Sequence, residues 1–202
     1  MNEHDYRYAA YAIARDSEAP AAVTAYAGAL AAAMHRARLE GTTLACQLIT
    51  ELSTDPVTHA AAVSIGPFTM LTLSDWLTEV WDAVTEIAAL TAVPELTADE
   101  QMFHRATAEL FAETDPDAST ATLAFAAALA VAHVRWLAEG VVAEATTVTS
   151  VLEDDPVAAA AREELDEATR ASIAMAVGNK WTEIMERVQV MEAVHAIEAA
   201  VA

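Results

Sequence analysis

Apolar residues recur every three or four positions along nearly the whole chain, and strand-like alternation never persists beyond a few residues. That period belongs to helices with one buried face, so the chain is predicted to be all-α. A short first helix is expected over residues 4–16, and a long one follows Pro20 to about Ser53. Proline is tolerated in a first helical turn. The stripe of the long helix runs Val23, Tyr26, Leu30, Met34, Ala37, Gly41, Leu44, Leu48 and Leu52. A second stripe, from Phe125 through Leu129, His133, Trp136 and Gly140 to Val151, has the same form. Glycine costs up to about 1 kcal/mol inside a helix. Gly41 and Gly140 therefore mark either a close crossing of another backbone or a break between two shorter helices.

Punctuation divides the rest. Asp55-Pro56 and Asp155-Pro156 read as helix starts, with aspartate as N-cap and proline in the first helical position. The helix after Asp55 must stop or kink at Gly66-Pro67, then run to Val93. After Pro156 nothing interrupts residues 157–201, which predicts one very long helix or two joined near Gly178. Thr97 and Glu100 form a capping box for a helix over Asp99–Glu113, and Asp115-Pro116-Asp117 closes it.

These elements occur twice in the same order. Ala25 to Val57 reads against Ala124 to Val157 at a nearly constant offset. Arg36, Glu40 and Gly41 fall on Arg135, Glu139 and Gly140, the Asp-Pro-Val triplets coincide, and Trp81 falls on Trp181. Such a repeat predicts two similar helical units, residues 1–98 and 99–202, sharing one core about a pseudo-twofold axis. Trp81 and Trp181 are the expected symmetric core positions, with Trp76 and Trp136 as further packing anchors.

Charge changes the picture most. The chain has 31 acids, 10 bases and a formal charge of −21, and only one base is lysine, Lys180. The first unit carries 12 acids against 4 bases and the second 19 against 6. Direct binding to nucleic acid or an anionic membrane is not expected, because both need Lys and Arg against phosphate. No apolar run is expected to span a bilayer. The N-terminus opens with acids where a signal peptide carries bases, so a cytoplasmic location is expected. One cysteine, Cys46, leaves no internal disulfide; it is expected to be a small buried hydrophobe.

The acids form one ordered group. Asp75, Glu79, Asp82 and Glu86 are spaced four, three and four apart, which places them on one helix face. Leu73, Trp76, Leu77, Val80, Val84 and Ile87 lie opposite. The face is simply solvated, a contact for a basic protein, or a metal site, although carboxylates alone need more ligands than one helix can converge. A second acidic concentration runs from Glu153 to Asp155 and through Glu163, Glu164, Asp166 and Glu167. Arg36 and Arg135 each precede an acid by four, which predicts the intrahelical pairs Arg36–Glu40 and Arg135–Glu139; an ion pair between the units is the alternative.

Enzyme motifs are sparse. Glu192-Ala-Val-His195 has the spacing of a di-metal ligand pair, but Glu100 and His104 are four apart and no second match occurs. His133, on the buried stripe, is expected to be a hydrogen-bonded core residue. The five glycines make no phosphate loop or nucleophile elbow. The expected function is that of a non-catalytic acidic helical interaction or assembly protein, without cofactor or metal. Its ladder Asp75, Glu79, Asp82 and Glu86 would meet a basic protein, and a homo-oligomer is compatible with its apolar faces. The alternatives are an inhibitor mimicking nucleic acid, with carboxylates in place of phosphates, and a small metal-dependent helical enzyme.

Overall fold

A computed structural model describes residues 2–90, 96–139 and 155–201. Among these residues the chain is all helical, with ten helices and no strand. They are α1 (Glu3–Asp16), α2 (Ala21–Glu40), α3 (Leu44–Thr54), α4 (Pro56–Glu79) and α5 (Trp81–Leu90). After them come α6 (Ala98–Thr114), α7 (Thr120–Glu139), α8 (Pro156–Glu164), α9 (Glu167–Asn179) and α10 (Trp181–Val201).

Local chemistry sets most of the boundaries. Capping boxes start α1, through Asn2 and Asp5, and α6, through Thr97 and Glu100. Pro20 lies one position earlier than expected, at the N-cap of α2 with ψ 155°. The Asp55 and Asp155 carboxylates accept hydrogen bonds from the Val57 and Val157 amides, at 3.0 and 2.9 Å, and so start α4 and α8. Gly41 adopts the left-handed conformation at φ 64°, where an L side chain is strained, and it ends α2. The single helix to Ser53 is thus broken into α2 and α3, and Gly41 marks that break. Gly140 lies outside the described residues.

The α4 helix bends at Gly66, with φ 72° and ψ 168°, as its Gly-Pro pair requires. Residues 157–201 form three helices where one or two were expected. Leu165 is extended at ψ 133°, and the Asp166 carboxylate caps α9 by accepting from the Thr169 amide at 2.7 Å. A second joint falls at Lys180, next to the expected one, with φ −94° and ψ 7°. Val80, between α4 and α5, has almost the same conformation, φ −94° and ψ 8°.

The alanine-rich helices α2 and α7 form the centre and touch each other. Buried Ala27, Ala31 and Ala33 on one, and Ala124, Ala126 and Ala128 on the other, let backbones approach closely. Alanine also has the best intrinsic helix propensity. Around this pair, α1 and α4 pack on α2, while α6, α8 and α9 pack on α7. The outer helices α5 and α10 lean on α1 and α6. Contacts also cross over: α8 touches α1 and α2, and α4 touches α6 and α7. Leu73, Leu77 and Val84 face inward from α4 and α5, as do Ile173, Val177 and Ile184 from α9 and α10. Residues 192–200 of α10 are exposed, Val194 and Ile197 among them at 49% and 64%.

Two helices correct the expectation that no segment could span a bilayer. Pro56–Glu79 and Thr120–Ala138 are long and apolar enough by length and composition, with mean hydropathy 1.2 and 1.5. The first escapes notice because Thr, Ser, Gly and Pro dilute the uncharged run of residues 56–74. The second is the central helix of the core.

Candidate functional site

Asp75 and Glu79 on α4, and Asp82 and Glu86 on α5, are all exposed. None of the four joins an ion pair among the described residues. Their helix face is turned outward because Leu73, Leu77 and Val84 are buried on the other side, with Trp76, Val80 and Ile87 partly covered. Below the joint at Val80, Trp81 is stacked on Tyr6 at 5.3 Å, and the Arg38 guanidinium sits 4.0 Å from its ring centroid. The ladder is therefore carried on an anchored stretch of chain.

The basic residues have a different fate. Glu51, only 4% exposed, accepts hydrogen bonds from both Arg7 and Arg36. Arg36 also lies 3.1 Å from Glu3. The expected Arg36–Glu40 pair is not formed: Arg36 turns to α3 and α1, and Glu40 accepts instead from Gln47 at 2.6 Å. Arg135 likewise leaves its own helix and donates to Glu100 of α6 at 2.6 Å. The side chain of Glu139 is outside the described residues. Both arginines thus tie helices within one half of the chain rather than between halves. Arg105 pairs with Glu109, Lys180 with Glu183, and Arg187 with Glu113.

Burial acts on several of these groups. It would lower the Arg7 value, but Tyr11, Glu51 and Asp55 nearby outweigh it, so Arg7 stays firmly protonated. Burial pushes the Tyr11 hydroxyl up to about 12. Burial also pushes the Glu100 carboxyl up, yet hydrogen bonds from Arg135 and Thr97 prevail and hold it below its ordinary range. A carboxylate lowered in this way contributes stability that is complete above its unfolded-state value and is lost as pH falls through the folded one. Glu100→Gln should therefore destabilise the protein most near neutrality. The difference from wild type in urea midpoint should shrink between about pH 6 and about pH 3, and a constant difference would contradict the ion pair.

Other expected residues are placed as follows. His133 is half-buried, 4.3 Å from Trp181 and 4.9 Å from Trp136 by ring centroids, and burial lowers its basicity. It is an aromatic packing residue. Cys46 is exposed on the first turn of α3, contrary to the buried position expected; the break at Gly41 rotates α3 away from the stripe of α2. Glu192 and His195 are on the exposed end of α10. Glu100 is engaged by Arg135 and by its own helix cap. Among the described residues no cluster of His, Cys, Asp and Glu could hold a metal ion.

A cavity of about 490 Å³ opens where α1, α6 and α7 meet the starts of α4 and α8. Arg7, Tyr8, Tyr11, Asp55, His104 and Asp155 are in its wall. Sequence reading missed Glu51, Tyr11 and this cavity, since the contacts join positions far apart in the chain. One signal was present: Gly28 lies in the middle of a helix rich in alanine. A Cβ there would lie 1.9 Å from the Tyr11 ring.

Comparison with known proteins finds no matching family model, no similar curated protein and no similar solved structure.

Proposed function

We propose that the chain is a non-catalytic helical interaction protein, formed by tandem fusion of two like units, residues 1–98 and 99–202. It docks a basic protein through Asp75, Glu79, Asp82 and Glu86. The observation that carries this reading is the separation of charge. Six of the ten bases are bound to carboxylates of the same molecule, and Arg38 covers Trp81. The ladder is left exposed and uncompensated on a well-anchored helix pair. Complementary charge of this kind steers association and fixes register more than it adds raw affinity.

The duplication is supported by matched contacts. Tyr6 stacks on Trp81 at 5.3 Å and 14°, and Phe103 stacks on Trp181 at 5.4 Å and 13°. Glu3 meets Arg36 as Glu100 meets Arg135. The crossed packing of α4 on α7 and α8 on α2 is what a pseudo-twofold axis between the units would produce. The ladder itself is one-sided. Met175, Asn179 and Thr182 stand where the first unit has Asp75, Glu79 and Asp82, and of the four positions only Glu86 keeps an acid, Glu186, so a partner would meet one unit only.

The test uses a synthetic Arg- and Lys-rich peptide as the basic probe. Neutralising the ladder (D75N, E79Q, D82N, E86Q) should weaken binding at least about tenfold, ~1.4 kcal/mol. An equal change of charge at exposed Asp99, Glu186, Glu192 and Glu198 should have much less effect. Equal weakening in the two variants would reduce the ladder to a share of net charge and defeat the reading.

A further inference from the structure

We infer that the cavity between α1, α6, α7 and the starts of α4 and α8 binds a small organic cation, an ammonium group carrying a short apolar body. The inference is independent of the ladder. At about 490 Å³ the cavity falls within the ~300–1,000 Å³ typical of small-ligand sites. Its floor is apolar, built from Val57, Val157, Ala124, Ala128 and Val131, and the rings of Tyr8 and Tyr11 stand in its wall.

The sign of the ligand follows from the charges around that space. The wall carries three carboxylates, Glu3, Asp55 and Asp155, and two guanidiniums, Arg7 and Arg135. Both guanidiniums are already paired, Arg7 with Glu51 and Arg135 with Glu100. Glu3 is balanced by Arg36. Asp55 and Asp155 meet no Lys or Arg in a salt bridge among the described residues, although Asp55 feels the nearby charge of Arg7. Each caps a helix whose N-terminal dipole offsets about half a unit of charge, and the start of α1 at Asn2 and Glu3 adds a third such end, so the cavity keeps a negative surplus of roughly half a unit. His4 and His104 complete the titratable wall. The Nε2 atom of His4 is buried and has no hydrogen-bond partner among the described residues; a donor in the cavity, such as an ammonium N–H, would satisfy it as an acceptor.

The tyrosine wall is a tailored feature. Tyr11 can lie where it does only because position 28 is glycine, the Cβ of any other residue falling 1.9 Å from ring carbon Cε1. At the matching places of the second unit stand Ala108 and Ala127, both fully buried. The ring is thus present on one side of an otherwise repeated arrangement, next to the two cap aspartates. An aromatic face beside the Asp155 carboxylate, which no Lys or Arg pairs among the described residues, favours a cation, the more so where solvent is excluded.

Calorimetric titration of the full chain with n-butylammonium and tetramethylammonium, against neutral butanol and anionic butyrate, tests this directly. At least one ammonium probe should bind with Kd below about 1 mM, and at least about tenfold more tightly than butanol or butyrate. Asp155→Asn, which keeps a good N-cap while removing the charge, should weaken ammonium binding about tenfold. Tyr8→Leu, which removes an aromatic wall without touching a cap, should weaken it severalfold. Absence of ammonium binding, tighter binding of butyrate, or affinity unchanged in both variants would overturn the inference.

Discussion

Glu51→Ala should destabilise the protein by about 3–5 kcal/mol, the largest loss expected of any single charged side chain here. Glu51 is the shared acceptor of Arg7 and Arg36, and its side chain is only 6% exposed. Removing it leaves two guanidiniums, each 20% exposed, without their common counter-charge. Breaking a buried pair is far more harmful than the pair's net worth, because the survivor stays desolvated. Glu40→Ala should cost only about 1 kcal/mol, since its carboxylate accepts one hydrogen bond from Gln47. Urea unfolding of both variants measures the difference. Similar small losses would mean that Arg36 pairs within its own helix after all.

Gly28→Ala should also destabilise, by about 2 kcal/mol or more, although helix propensity alone predicts a gain of up to about 1 kcal/mol. The two effects have opposite signs, which makes the result decisive. A new Cβ 1.9 Å from the Tyr11 ring cannot be absorbed by a rotamer change at a flexible end, because the ring is stiff. In a Tyr11→Ala background the same change should become neutral or stabilising, since no ring then meets the new Cβ; under the proposed duplication the pair would match Ala108 and Ala127. Denaturation midpoints of the two single variants and the double variant complete the cycle. A stabilising Gly28→Ala in the wild-type background would show that the ring does not rest on α2.

What could be read from the chain follows the range of each interaction. Period, caps and breakers are local, so the all-helical class, both Asp-Pro starts, the Thr97 box and the bend at Gly66-Pro67 were legible. The outward face of the ladder was legible too, because Leu73, Leu77 and Val84 fix the orientation of their helix by burial. The break at Leu165 was missed, since Asp166 looks like one more acid in an acidic run. Asp166 stands 100 residues beyond Gly66, the offset of the proposed repeat, and that was the available clue. Arg36 misled because a neighbour at the right spacing is a weak attraction, of a few tenths of a kcal/mol. A buried acid on another helix outbids it, and nothing local in the sequence marks Glu51 as that acid. Cys46 was misplaced for the same reason that Gly41 was ambiguous: a stripe continued through a helix end keeps its period on paper but loses its face in space.

Double-mutant cycles on Tyr6–Trp81 and Phe103–Trp181 test the central claim, two like units built on one plan, most directly. The account predicts a coupling of about 0.5–1.5 kcal/mol in each cycle, with the two values close to one another. A clear coupling in one cycle and none in the other would contradict it.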